Sequence, residues 1–198
     1  MYIEGSNSNL NEQIENLRKI TYKNEFITEV FAHSAELKLP NWYVGAGCIA
    51  QTVWNSISDV PPSQNIKDID LVYFDSSKLS AEAEAAHRDR IQKLLHNLPI
   101  NLDVKNQARV HLWYKEYFGY NIDPYDSVES AINTWPTTAT CLAVKLVEQR
   151  FIVYAPYGLN DLFSMIVRPN KTQITKEIYE NKIKRWKKCW PKLEIMPW

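Results

Sequence analysis

Apolar residues follow helical spacing at both ends of the chain and strand spacing in its middle. Between 11 and 39, Ile14, Leu17, Ile20, Phe26, Ile27, Val30, Phe31, Ala35 and Leu37 recur on one helical face. This predicts two helices with a break near Thr21, the second running on to Pro40. Residues 1–9 are polar and are expected to fray. Short apolar or alternating runs at 41–44, 66–74 and 100–104 read as strands. Helices are expected between them, over 48–56 and 80–95, with a Pro61-Pro62 loop at 59–65. An aromatic helix over 108–118 and a short one from the Asp126-Ser127 cap to Trp135 follow. Two β-rich runs, 140–147 and 151–154, flank Glu148-Gln149-Arg150 as a hairpin. A short helix begins within 157–163, and a last one spans 172–189. The sum is a mixed α+β chain with about five strands.

Composition narrows the class. A chain of 198 residues suits one domain with helical flanks, here about 11–39 and 172–189. Lys and Arg number 23 against 23 Asp and Glu, so no global field draws the protein to nucleic acid or an anionic membrane. Cys48, Cys141 and Cys189 are odd in number and widely spaced, which argues for reduced thiols and a cytoplasmic setting. The start has no signal-peptide pattern, and no apolar run is long enough for a membrane span.

The chemistry concentrates in Asp68-Ile69-Asp70, inside an apolar run. Side chains at i and i+2 of a strand share a face, so two carboxylates are aimed together. Like charges so close raise each other's proton affinity unless a cation lies between them. Oxygen ligands of this kind suit magnesium. Gly45-Ala46-Gly47 lies between a strand and a helix, where backbone N–H groups can meet a phosphate; a tight turn with no ligand gives the same pattern. Asp103, between Leu102 and Val104, is a third acid on a strand, and its alternative role is a salt bridge to Lys105 or Arg109. Three carboxylates on neighbouring strands can hold two metal ions for phosphoryl chemistry.

This ordered set resembles the nucleotidyltransferase superfamily that includes DNA polymerase β, the CCA-adding enzymes and kanamycin nucleotidyltransferase. The stretches Trp42-Tyr43-Val44-Gly45-Ala46-Gly47, Lys67-Asp68-Ile69-Asp70 and Asp103 through Trp113 are similar to a bacterial family of small stand-alone nucleotidyltransferase-like proteins, over nearly the whole chain. Pro156 through Leu162 and Ile166-Val167-Arg168 resemble the end of the CCA-adding head domain. The resemblance implies a polymerase β-like fold and a single nucleotidyltransferase domain over 1–198. It implies transfer of a nucleoside monophosphate from a nucleoside triphosphate such as ATP to an acceptor hydroxyl. Asp68, Asp70 and Asp103 would bind two Mg2+ ions, with Mn2+ as a substitute. Gly45, Ala46 and Gly47 would hold the β- and γ-phosphates. Two departures stand out. Ala46-Gly47-Cys48 replaces the Gly-Ser of many members, and Pro136-Thr137-Thr138 stands where CCA-adding enzymes carry Arg-Arg-Asp. A non-catalytic nucleotide-binding or regulatory protein on the same fold is the alternative.

Lys67 and Arg109 are further candidates for phosphate contact, beside solvation for the lysine and a salt bridge for the arginine. His111 is a candidate for proton transfer or a structural histidine. Cys48 is a candidate reactive thiol or a packing residue. The last helix carries Lys176, Lys182, Lys184, Arg185, Lys187 and Lys188 with Trp186 and Trp190. It reads as a track for RNA or, more plainly, as an amphipathic cap that buries Ile178, Ile183 and both tryptophans. An RNA acceptor predicts that this helix faces the acids. A small acceptor predicts a closed pocket lined by Trp113, Tyr114 or Trp135.

Overall fold

A computed structural model describes residues 9–198, so the fraying expected over 1–9 lies outside the described residues except at Asn9. Asn9 caps α1 (Leu10–Thr21), its side chain accepting from the Glu12 N–H. Asn24 caps α2 (Glu25–Ala32) through the Phe26 and Ile27 N–H groups, and its amide donates to Thr52 Oγ1. The break near Thr21 is where periodicity put it. The end of α2 is not: the helix stops at Ala32, and 33–37 form turns. Lys38 adopts φ 46°, a conformation no helix continues through. Leu37 is buried from the turn while Ala35 is exposed, so the two do not share a buried helical face.

β1 (Tyr43–Gly45) leads into α3 (Gly47–Ile57). β2 (Asp68–Tyr73), α4 (Ala81–Leu94) and β3 (Asn101–Asn106) form a crossover, which lets β3 lie parallel to β2. A 3-10 turn, Gln107–Arg109, starts α5 (Val110–Phe118), which Gly119 ends in the left-handed region. A Ser127–Ser130 capping box starts α6 (Val128–Ile132). Residues Thr138–Thr140 form a second 3-10 turn, so β4 (Ala143–Val147) begins later than its β-rich composition suggests. Glu148 and Gln149 both have positive φ and make the two-residue turn to β5 (Arg150–Tyr154). α7 (Asn160–Phe163), β6 (Ile166–Val167), α8 (Lys176–Cys189) and β7 (Glu194–Ile195) complete the described chain. β7 pairs with β6 in a small parallel ladder that two residues of sequence could not signal.

The main sheet has the order β3-β2-β1-β4-β5. Only its β2–β3 pair is parallel, so this is a mixed sheet flanked by helices in an α+β fold. Alternation along β2 and β3 decides which face carries chemistry. Ile69, Leu71, Tyr73, Leu102 and Val104 enter the main core with Leu17, Ile27, Val53 and Trp54 from the helices. Each such burial contributes about 1.5–3 kcal/mol. Asp68, Asp70, Val72, Asp103 and Lys105 are thereby forced to the opposite face, since a one-residue slip would exchange the two sets.

Candidate active site

Gly45, Asp70 and Asp103 lie in one row across three strands. Gly45 is the register partner of Asp70, and Asp70 is the partner of Asp103. Asp68 stands two residues earlier on the same face of β2. The strand sequences therefore bring together the three predicted acids and the first residue of the glycine turn. Gly45 is required for space: a Cβ there would meet Trp135 ring carbons at 2.5 and 2.8 Å.

Immediately above this row, Ala46 adopts φ 54° and ψ −127° and donates its N–H to Leu142 O at 3.0 Å. This conformation is rare for a residue with a Cβ and costs of order 1–3 kcal/mol. It swings the chain straight from β1 into α3. No side chain caps the N-terminus of α3, so its first N–H groups are left without intrahelical partners. Ala46, Gly47 and Gln51 line the same cleft as the acids. Gln51 escaped sequence reasoning, although an amide one turn into the apolar run of α3 was a usable signal. Cys48 is fully buried and its thiol donates to Gly45 O at 3.2 Å. Burial, then the charge of Asp70, pushes its pKa far up. It is an inert packing residue and not a reactive thiol.

The cleft has a volume of about 450 Å3. Its aromatic wall contains Trp113, Tyr114, Phe118, Tyr125 and Trp135. Another wall is α8, which contributes Ile178, Lys182, Arg185 and Trp186. The last helix places Lys182 and Arg185 in the same cleft as the acids, and Trp113, Tyr114 and Trp135 line that cleft too, which is open and not the closed pocket expected for a small acceptor. The core side of α8 also matches its amphipathic pattern, with Trp186 and Trp190 buried and Ile178 and Ile183 partly so.

Other candidates go elsewhere. Arg109 was a candidate for phosphate contact, but the 3-10 turn carries it to α4. There it pairs with Glu84 at 2.7 Å and donates to Leu79 O, outside the cleft. Lys67 is exposed just before β2 and does not line the cleft. His111 does not line it either, and its Nδ1 is buried without a hydrogen-bond partner among the described residues. Asp103 pairs with Lys105 at 3.2 Å.

Electrostatics mark the floor of the cleft. Desolvation first, then the charges of Asp68 and Asp103, push the Asp70 pKa up to about 7. Lys182 answers from the other side: burial holds its pKa below the usual lysine range, while Asp70 and Asp68 pull it back up. Among the described residues, no three of His, Cys, Asp or Glu stand close enough to hold a metal ion with their side chains as placed. In donor type and strand placement the carboxylates nevertheless fit a hard divalent cation.

A family model described as a nucleotidyltransferase matches residues 32–195. Among solved structures, an NMR structure described as revealing a CCA-adding enzyme head domain superposes with a TM-score of 0.76. The match covers 98% of this chain and 97% of that one at 23% identity, which speaks for the fold. No curated protein matches. Among the described residues no helix is long and apolar enough to cross a membrane.

Proposed function

The chain belongs to this nucleotidyltransferase family, and on that premise we propose that it moves a nucleoside monophosphate from a nucleoside triphosphate to an acceptor hydroxyl with two divalent metal ions, Mg2+ foremost. One observation carries the reading: the row Gly45–Asp70–Asp103 ends at a turn that opens the N-terminus of α3 over the acids. Asp68 and Asp70 would hold both ions, and Asp103 would complete the site where the attacking hydroxyl is activated. When bound, such ions lower the pKa of that hydroxyl and offset charge in the in-line transition state. The protein's own groups position the reactants. The N–H groups following Ala46 receive phosphate oxygens. The aromatic wall offers stacking surface to a base, worth about 1–3 kcal/mol. Asp103, which pairs with Lys105 here, would supply its carboxylate to such an ion.

The Asp103–Lys105 pair also favours a second reading, a nucleotide-binding protein without catalysis. The two are separated by incubating the protein with α-labelled nucleoside triphosphates, Mg2+ and cell extract. Transfer predicts label in one acceptor fraction (RNA, small molecule or protein) and none with Asp70→Ala. Thermal stabilisation by a nucleotide with no label transferred would leave only the binding reading. Persistent label with Asp70→Ala would remove the acids from the mechanism.

A further inference from the structure

We propose that Lys182 and Arg185 form the polyphosphate grip of the cleft, holding the β- and γ-phosphates that leave as pyrophosphate. The inference rests on the nucleotidyl-transfer reading and adds the residues that the glycine turn alone does not supply.

The two cations lie three residues apart on α8 and so share a face, which is the face that lines the cleft. Lys184 and Lys188 of the same helix do not line the cleft, and two other lysines are committed elsewhere. Lys176 pairs with Glu180 at 3.7 Å, and Lys187 donates to the carbonyls of Pro191 and Leu193. Lys182 and Arg185 have no ion pair or hydrogen bond with any described residue. An ammonium as enclosed as Lys182 is costly without a partner. Asp70 and Asp68 influence it, but neither comes within ion-pair distance among the described residues. An acidic floor and a basic wall thus face each other without closing. A metal-bound polyphosphate fits between them, its cations toward the acids and its oxygens toward the bases.

Two further observations point to the same ligand. Cys48, in the first turn of α3, has its thiol turned to Gly45 O and does not line the cleft. The turn therefore offers no hydroxyl to a phosphate. Gln51, only 5% exposed, has no hydrogen-bond partner among the described residues and faces the same space. The grip is also preorganised. Trp186 and Trp190 pack edge-on against Trp54 of α3, each with ring centroids 5.5 Å apart, so α8 is fixed on the helix that carries the turn.

Inorganic tripolyphosphate with Mg2+ tests the grip without knowledge of the base. Calorimetric titration should show binding to the wild type. Lys182→Gln and Arg185→Gln should each weaken it about tenfold or more, as loss of a charge-assisted contact implies. Lys182→Arg should retain most of the affinity, and Lys184→Gln, outside the cleft, should retain all of it. If Lys182 only balances the acids, Lys182→Gln will bind Mg2+ alone more tightly and tripolyphosphate as well as the wild type does. That result overturns the proposal and leaves nucleotidyl transfer standing. A wild type that binds neither tripolyphosphate nor any nucleoside triphosphate overturns both.

Discussion

The indole N–H of Trp190 donates to Asn55 Oδ1 at 2.8 Å, joining α8 to the end of α3 across 135 residues of chain. The Asn55 amide also donates to Pro62 O and Gln64 O, at 3.0 and 2.7 Å. One buried side chain thus ties the last helix, α3 and the loop before β2 together. Replacing it with alanine leaves the indole N–H and Gln64 O without this partner, while Pro62 O keeps the Asn24 amide at 3.4 Å. At about 1–3 kcal/mol for a buried orphan, partly relieved by water, Asn55→Ala should lose about 2–4 kcal/mol in urea unfolding. Because Lys182 and Arg185 ride on α8, tripolyphosphate binding should weaken well below the melting temperature. A change under about 0.5 kcal/mol would mean that the tryptophans alone hold α8.

Arg109 is expected to matter for folding and not for phosphate. Its guanidinium and the Glu84 carboxylate are 11% and 9% exposed, and Glu84 also accepts the Asn106 N–H at 2.7 Å. Arg109→Met would strand a buried carboxylate. Breaking such a pair costs about 3–5 kcal/mol. Urea unfolding should show that loss, while the remaining folded protein binds tripolyphosphate with wild-type affinity. Loss of affinity at wild-type stability would return Arg109 to the phosphate site.

These two residues show where sequence reading succeeds and fails. The shared face of Asp68, Asp70 and Asp103 was legible because strand alternation is a local property and the apolar partners Ile69, Leu71, Leu102 and Val104 enforce it. Gly45 was legible as the start of a turn, though the Trp135 ring that demands it was not. The cations were ambiguous because their role depends on packing between distant elements. Arg109 is close to Asp103 in sequence, yet a 3-10 turn carries it to Glu84. Lys182 was one lysine among several on an amphipathic helix. Only the docking of Trp186 and Trp190 on Trp54 sets which of them meets the acids. Likewise, nothing local announced the left-handed Lys38 that follows the early end of α2.

The turn after α2 should give the protein a measurable pH dependence. His33 Nδ1 lies 2.9 Å from Glu36 and Nε2 lies 3.3 Å from Glu29. The hydrogen bond to Glu36, followed by the charges of Glu36 and Glu29 and opposed by slight desolvation, raises its pKa. The folded state therefore binds the proton more tightly than the unfolded chain, whose histidine titrates near ~6.5. The stabilisation is complete below that value and is lost as pH rises through the folded pKa. His33→Gln should thus be less stable than the wild type at about pH 5.5 and closely match it at about pH 8.5. Urea unfolding of both proteins at the two pH values measures the difference. A gap that is constant with pH would assign it to packing.

Asp70 should trade stability for activity. It lies in the middle of the row, next to Asp103 and on the same face as Asp68, and it is the most desolvated of the three acids. In EDTA nothing offsets the repulsion except Lys182 and Lys105, which act from a distance. Asparagine has nearly the same shape and no charge. Asp70→Asn should therefore unfold at a higher urea concentration than the wild type in EDTA, by about 1–2 kcal/mol near neutral pH. With Mg2+ the order should change. Binding to the folded state stabilises the wild type, whereas the variant has lost a ligand oxygen charge and gains little. Label transfer should fall by about 100-fold or more, since a displaced or weakened ion removes both hydroxyl activation and charge compensation. Destabilisation by Asp70→Asn in EDTA would mean that Lys182 already serves Asp70 as a stabilising partner. The open gap between acidic floor and basic wall, and the polyphosphate grip built on it, would then have to be abandoned.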